Sequence, residues 1–265
     1  MLCYHKPKLN ELTFFTIMNP IEYPISHQKS LLLFLSGWLG LTLLSFVFFF
    51  LFWAFGMVIV GQEQITLFLQ SNTFLSTVNF LVYLTLFIFA LVTTYRGWIV
   101  WLREIITYSR WVKGIGYGFL VIISGALLGI FYDLLGIQTT DNVNQETINT
   151  LVLELPILSF ITFTILGPIV EEFTYRVGLF TYVAKRQRWL AYLVTLTLFG
   201  FIHFNFLSAN LLNELINLPF YLMAGFLFCY IYEKEGFWVV TLAHITNNLI
   251  SILSILWLAS GGLSS

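Results

Sequence analysis

Apolar residues occur along this chain in long runs that are separated by short polar stretches. The runs cover residues 31–60, 74–95, 114–137, 149–183, 189–207, 212–232 and 238–259. A helix needs about 20 apolar residues to cross roughly 30 Å of hydrocarbon, because each residue adds about 1.5 Å. The pattern therefore predicts an all-α, polytopic membrane bundle of about seven transmembrane helices, with eight as the alternative.

The overall composition agrees with a membrane protein. Hydrophobic residues make up 58% of the 265 residues and charged residues only 9%, far from the usual globular balance. The net charge of −1 gives no reason to expect nucleic acid as a partner. Cys3 and Cys229 form no disulfide framework, and Cys229 is expected to be a small buried side chain. The apolar stretch at 30–61 is too long for a cleavable signal peptide, so we expect an uncleaved first helix.

The basic residues predict the orientation of the bundle. Eleven of the 12 Lys and Arg residues lie in the N-terminal tail 1–29 or in alternate connections, whereas residues 61–73, 138–148 and 208–211 contain none. Basic loops face the cytoplasm. We therefore expect a multi-pass protein of the cell membrane with a cytoplasmic N-terminal tail and, after seven crossings, a C-terminus on the opposite side.

A basic, aromatic segment separates the second and third apolar runs. In residues 95–113, Arg96, Arg103 and Arg110 recur every seven residues, with tryptophans nearby. That spacing puts them on one helical face, which is typical of an interfacial helix that lies against lipid headgroups.

The fourth apolar run contains three charged residues, in the sequence EEFTYR at 171–176. A charge inside a membrane is costly, so such residues indicate a functional site. In a helix Glu172 and Arg176 are about 40° apart and can form an ion pair, whereas Glu171 is turned by about 100° from Glu172 and can face a cavity. The alternative is a helix end that reaches the headgroups, where the charges are solvated.

Two histidines lie in other apolar runs. His244 has Asn248 one turn later, so both can point into the bundle from one face, and His203 has Phe199 one turn earlier. Each histidine alone could be a satisfied core group. Together with glutamate, however, they form a hydrolase set: a carboxylate that takes a proton from water, a histidine that positions it, and donors for an oxyanion.

These motifs, in this order on separate membrane helices, resemble those of the CPBP family, also called Abi, of CAAX prenyl endopeptidases and bacteriocin-processing enzymes. The motifs are EExxxR at Glu171, FxxxH at Phe199 and HxxxN at His244. The resemblance covers roughly residues 149–258, which it identifies as a catalytic core after N-terminal transmembrane helices at 30–138.

The resemblance implies a role for each motif residue in an intramembrane endopeptidase. Glu171 would activate the attacking water with His203, and His244 with Asn248 would form the oxyanion site. Glu172 and Arg176 would support this geometry. Family members often have glycine directly after the arginine, whereas this chain has Val177 before Gly178. We expect the helix to pack closely at Gly178 instead.

The family is often labelled metalloprotease, and Glu171, His203 and His244 could together ligate zinc with one open position. The HExxH motif is absent, and an asparagine beside His244 suits an oxyanion better than a metal. We therefore expect no cofactor, with zinc held by these three residues as the alternative.

Two other functions are compatible with the sequence. A non-catalytic membrane partner, such as a bacteriocin immunity protein or a regulator of a membrane sensor kinase, would use the motifs for packing or for binding another membrane protein. A transporter would use the carboxylates as a proton relay, but no internal repeat supports it.

For the endopeptidase, the expected partners are the lipid bilayer and a peptide or membrane-protein substrate. Asp133 and Glu154 are expected to be ordinary residues at the outer interface.

Overall fold

The computed structural model describes residues 25–261, and within them the chain is helical with no β-strand. The predicted all-α class is confirmed. Residues 1–24, which include Cys3 and most of the N-terminal tail, lie outside the described residues.

The chain folds into ten successive helices over residues 25–261. They are α1 (His27–Ile59), α2 (Gln62–Leu69), α3 (Asn72–Thr93), α4 (Trp98–Ile105), α5 (Tyr108–Leu134), α6 (Val143–Glu154), α7 (Pro156–Ala184), α8 (Arg188–Phe201), α9 (Leu211–Glu235) and α10 (Phe237–Ala259). A short 3₁₀ turn, Tyr95–Gly97, precedes α4.

Six of these helices are long and apolar enough to cross a membrane: α1, α3, α5, α7, α9 and α10. Helix α8 is also apolar but has only 14 residues, or about 21 Å of helix. The chain is therefore a multi-pass helical bundle of about seven helices, as the hydrophobic pattern predicted.

The fourth predicted run, 149–183, is divided between two helices. Helix α6 ends at Glu154, and α7 begins at Pro156 after Leu155, whose φ of −132° and ψ of 63° are not helical. A residue before proline is driven out of the α region, and proline has no N–H for the helical ladder. The apolar pattern continues through this break, which is why the hydrophobic pattern alone predicted one continuous run.

The fifth run, expected at 189–207, ends earlier. Helix α8 stops at Phe201, so His203 lies in the turn that follows rather than within a helix. Polar side chains from other elements hold this turn, including Glu214, which accepts a hydrogen bond from the Asn205 N–H at 3.0 Å. A single sequence does not show such partners from other elements.

The interfacial helix expected at 95–113 is also interrupted. Helix α4 ends at Ile105, Thr107 is extended with ψ of 108°, and α5 begins at Tyr108. Arg110 therefore belongs to α5, where its Nη1 donates to the Glu235 carbonyl at 2.5 Å. The seven-residue spacing does not place the three arginines on one helical face.

Helix α7 is the most buried of the long helices, with 61% of its most apolar window enclosed. Helix α1 crosses it very closely at Gly178, where a Cβ would come within 2.8 Å of the Phe34 backbone nitrogen. The expected close packing at Gly178 is present. It anchors the segment of α7 that carries the charged residues.

Candidate active site

Helix α7 departs from α-helical geometry on both sides of Glu171. Residues Phe160–Leu166 and Glu172–Phe180 form wider π-helical turns, with α-helical Gly167–Glu171 between them. Pro168 removes one ladder hydrogen bond in this region, and π-turns are frequent at functional sites. Wider turns change the angle between successive side chains, and both carboxylates approach His244 of α10.

Glu172 is fully buried and has two charged or polar partners. Its Oε2 lies 3.2 Å from Arg176 Nε, and its Oε1 lies 2.8 Å from His244 Nδ1. The ion pair predicted from the four-residue spacing is therefore present. A carboxylate only accepts hydrogen bonds, so Nδ1 of His244 carries the proton that it donates to Glu172.

Arg176 is the largest fully buried side chain of the described residues. Its guanidinium lies 4.5 Å from the centroid of the Phe199 ring and 5.2 Å from that of Phe228, within the range of cation–π attraction. Its Nη2 donates to the Gly225 carbonyl at 3.4 Å. The phenylalanine of the FxxxH motif thus covers the arginine of the EExxxR motif.

His244 connects the two carboxylates. Its ring stacks on Phe228 with centroids 4.4 Å apart, and its Nε2 lies 3.7 Å from Oε2 of Glu171. That distance is too long for a direct hydrogen bond. The side chain is 4% exposed.

Glu171 has a further neighbour that the sequence motifs did not reveal. The hydroxyl of Tyr83, on α3, donates to Glu171 Oε1 at 3.4 Å. Tyr83 lies in the long apolar helix α3, where a tyrosine is unremarkable, so no sequence signal marked it.

His203 lies beside this cluster: the Phe199 ring has its centroid 5.0 Å from that of His203 and 6.1 Å from that of His244. Its Nδ1 contacts the Phe199 carbonyl at 2.8 Å. Because a carbonyl oxygen can only accept, Nδ1 carries the proton, and in the neutral ring Nε2 is the acceptor nitrogen. The ring stacks on Tyr221 of α9 with centroids 4.4 Å apart.

Two buried side chains hold the backbone around His203. Asn142 Nδ2 donates to the His203 carbonyl at 2.9 Å. Glu214, 1% exposed, accepts from the Val143 N–H and the Asn205 N–H, each at 3.0 Å. Sequence reasoning missed both residues. An acidic residue near the start of an apolar run was the available signal for Glu214.

Asn248 contacts α7 one turn along α10 from His244. Its Nδ2 donates to the Phe163 carbonyl at 2.9 Å, and its Oδ1 accepts from Asn247 Nδ2 at 3.1 Å. His244 and Asn248 therefore face the same helix, as their spacing predicted.

Glu171, His203 and His244 do not form a metal-ligand set in this arrangement. In residues 25–261, no three His, Cys, Asp or Glu side chains are grouped so that they could hold a metal ion. Nδ1 of His244 faces Glu172, and Nδ1 of His203 faces a backbone carbonyl. The expectation of no cofactor, with zinc as the alternative, stays a prediction.

Comparison with known proteins agrees with the motif order. Residues 153–250 match the family model described as type II CAAX prenyl endopeptidase Rce1-like. UPF0177 protein YvdC of Lactococcus lactis subsp. lactis (strain IL1403) is 37% identical over 89 residues, which are 34% of this chain and 33% of that protein. The matched part thus spans about a third of the relative, and no solved structure matches the chain.

The matched segment includes every motif residue from Glu171 to Asn248, and the resemblance to the CPBP family is confirmed. Residues 153–250 of this membrane protein are therefore similar to the Rce1-like, type II CAAX prenyl endopeptidase family.

Proposed function

We propose that this chain is an intramembrane endopeptidase that hydrolyses a peptide bond of a lipidated, membrane-bound or leader-peptide substrate. The observation that carries the proposal is the contact of two adjacent buried carboxylates, Glu171 and Glu172, with one histidine, His244, inside an apolar bundle. Such an arrangement is costly to bury and has no evident role in packing alone.

The charges of the cluster support one mobile proton. Glu171, Glu172 and Arg176 carry a net charge of −1 when all are ionised, and a buried cluster is far less costly when it is neutral. One additional proton, shared between Glu171 and His244 Nε2, gives that neutrality. The two atoms are 3.7 Å apart, a gap that a small closure of the site would turn into a hydrogen bond.

Water activation is assigned to Glu171 and His203. Ionised Glu171 takes a proton from the water as its oxygen attacks the carbonyl carbon, while the acceptor Nε2 of His203 orients that water. The proton held by Glu171 then passes to the leaving amide nitrogen as the C–N bond breaks. His203 suits this role because the Phe199 carbonyl and the Tyr221 ring fix its tautomer and its plane.

Oxyanion stabilisation is assigned to His244 and Asn248. Nδ1–H of His244 donates to Glu172. A protonated His244 therefore presents its Nε2–H to the developing negative charge. The Asn248 amide has a second N–H beside the one that contacts Phe163. No step of this mechanism uses a metal.

The test is a cleavage assay with purified protein on a panel of prenylated and unprenylated peptides. We expect Glu171→Gln to reduce the cleavage rate at least about a hundredfold, the usual contribution of a general base. Glu63→Gln is the matched control, because Glu63 is an exposed acid on α2. Each protein is assayed with and without a zinc chelator, and we expect the chelator to have no effect.

The outcomes separate the alternatives. Cleavage that Glu171→Gln leaves intact contradicts the proposal, and cleavage lost on chelation contradicts its metal-independent form. If a partner function survives simultaneous replacement of Glu171, His203 and His244, the protein acts as a non-catalytic membrane partner instead.

A further inference from the structure

A cavity of about 650 Å³ lies beside the proposed active site, within the size range of ligand sites. Its walls come from α5, α9 and α10, and α6 with the segment before it closes one end. Tyr221 and Asn247 both line it. Tyr221 stacks on His203 and Asn247 contacts Asn248, so two lining residues touch proposed catalytic residues, although none of the catalytic residues lines the cavity itself.

The lining of the cavity has two parts. Deep in the bundle the walls are apolar or small, and include Val121, Gly125 and Ile250. At the α6 end the lining residues carry amides and one carboxylate: Asp141, Gln145, Asn149 and Asn217. Gln145 donates to Asn149 and Asn149 donates to Asp141, so these side chains form a hydrogen-bonded row, and the remaining donors and acceptors of its amides are of the kind that a peptide backbone requires.

In the described residues, the exposed charge at the α6 end of the cavity is of one sign. The exposed acids Glu63, Asp133, Asp141, Glu146 and Glu154 lie at the end of the bundle where α6 lies. In the part of the chain that the structure describes, every Lys and Arg except Arg176 lies at the opposite end or in the connections there. At that opposite end, acids are paired with bases, as in Lys113–Glu235 and Arg188–Glu233. Among residues 25–261, the α6 end has no basic side chain to neutralise its acids.

We propose that this cavity binds the substrate as an extended peptide segment whose positively charged flank lies at the α6 end. The inference rests on the proposed endopeptidase function and specifies its substrate class. Apolar walls accept the membrane-embedded part, the amides pair with its backbone, and Asp141, which lines the α6 end of the cavity, attracts Lys or Arg. A free C-terminal carboxylate, as on a prenylated CAAX peptide, meets only negative charge there.

The test measures binding separately from cleavage. The full-length protein is placed in lipid nanodiscs, with Glu171→Gln to stop turnover. The probes are a fluorescent apolar peptide with a Lys-rich flank, the same peptide with Glu in place of Lys, and a prenylated peptide with a free carboxylate. We expect the Lys-rich peptide to bind at least about tenfold more tightly than either other probe, with a preference that weakens in high salt.

Two glycines of α5 provide a matched pair of variants. A Cβ on Gly125, which lines the cavity, meets nothing within 4 Å, and neither does one on Gly116, which does not line it. Both positions thus have open space for the first atom of a larger side chain. We expect Gly125→Leu to weaken binding of the Lys-rich peptide about tenfold or more by filling the cavity, and Gly116→Leu to leave it within about twofold.

The charge is tested in the same way. Asp141→Asn is expected to weaken binding of the Lys-rich peptide by several-fold, whereas Asp133→Asn, at an exposed position outside the cavity lining, is expected to have little effect. Equal binding of the three probes, or equal effects of Gly125→Leu and Gly116→Leu, overturns the inference.

The two proposals fail differently. Specific binding that Gly125→Leu blocks, without cleavage by the wild-type protein, supports the cavity and contradicts the endopeptidase. Cleavage of the prenylated peptide that depends on Glu171 but is unchanged in Gly125→Leu supports the endopeptidase and contradicts the cavity.

Discussion

Arg176 is the residue whose environment is least expected for its chemistry. It is fully buried among aromatic rings, and Glu172 is its charged partner on α7. A buried ion pair contributes little by itself, but loss of one partner leaves an uncompensated charge. The arginine is therefore required mainly because two carboxylates are present.

The same reasoning gives a stability prediction. Arg176→Met should lower the free energy of unfolding by about 3–5 kcal/mol. Arg188→Met is the control, because Arg188 pairs with Glu233 but its side chain is 63% exposed, and exposed pairs contribute only about 0–1 kcal/mol. Reversible unfolding in mixed micelles measures both. Similar losses for the two variants would contradict the assigned role of burial.

The structure adds Tyr83 to the site residues that the sequence motifs identified. Tyr83→Phe removes the hydroxyl that donates to Glu171. A hydrogen bond to a charged group contributes roughly 1.5–3 kcal/mol, so we expect cleavage to slow by about tenfold to a hundredfold. Tyr230→Phe, at a residue 41% exposed on α9, serves as the control. A rate unchanged by Tyr83→Phe would remove Tyr83 from the site.

At the scale of elements, the position of α7 depends on its crossing with α1. The two helices approach so closely at Gly178 that a methyl group would contact the α1 backbone. A helix backbone cannot move aside as a side chain can. The crossing therefore holds the π-helical segment that carries Glu172 and Arg176.

We expect Gly178→Ala to reduce the free energy of unfolding by about 1–3 kcal/mol through overpacking. Gly116→Ala has open space around the new methyl group and should be neutral or slightly stabilising, because alanine favours helix by up to about 1 kcal/mol over glycine. Thermal unfolding followed by circular dichroism distinguishes them. A neutral Gly178→Ala would show that α1 can shift.

The turn after α8 is the second element that positions the site. Glu214 of α9 accepts hydrogen bonds from the first residue of α6 and from Asn205 in this turn. The turn carries His203, so its position depends on a carboxylate from a different helix.

Glu214→Gln should therefore reduce both stability and cleavage. The single amide oxygen of glutamine replaces two carboxylate oxygens, and one buried N–H left unsatisfied costs about 1–3 kcal/mol. Unfolding measurements and cleavage rates are compared with those of Glu63→Gln. Full activity in Glu214→Gln would show that the turn keeps its place without the carboxylate.

At the scale of the whole molecule, the basic residues predict which end faces the cytoplasm. The end with Lys234 is expected to be cytoplasmic and the α6 end to be outside. We expect Lys234→Cys, in a Cys3→Ser background, to be protected in intact cells from a membrane-impermeant thiol reagent, and Glu63→Cys to be labelled. Cys229 is fully buried and should not react. The reverse labelling pattern would show that the α6 end, and not the end with Lys234, faces the cytoplasm.

The number and approximate location of the membrane helices followed from the sequence, because crossing a bilayer imposes a length and an apolar composition that can be counted. Helix ends were less predictable. Leu155–Pro156 divides one apolar run, and Thr107 divides the segment expected to form one interfacial helix, because backbone geometry and local partners, rather than hydropathy, end a helix.

The candidate site was only partly predictable. Each motif residue could be named because a charged or imidazole side chain is conspicuous in an apolar run, and the Glu172–Arg176 pair followed from helical spacing. Tyr83, Asn142 and Glu214 were not found, since their contacts join residues 61 to 88 positions apart along the chain or depend on backbone N–H groups of other elements.

The sequence by itself determined that this protein is a multi-pass helical bundle with a buried set of glutamate, arginine, histidine and asparagine residues. Hydrophobic length and local spacing are properties of short segments, so one chain is enough to read them. Only the tertiary structure decided that both carboxylates approach His244, that His203 lies in a turn held by Glu214, and that a cavity with amide side chains and Asp141 at its α6 end lies beside the site. Those features depend on how helices distant in sequence pack together, and π-helical turns and side-chain contacts between helices set that packing.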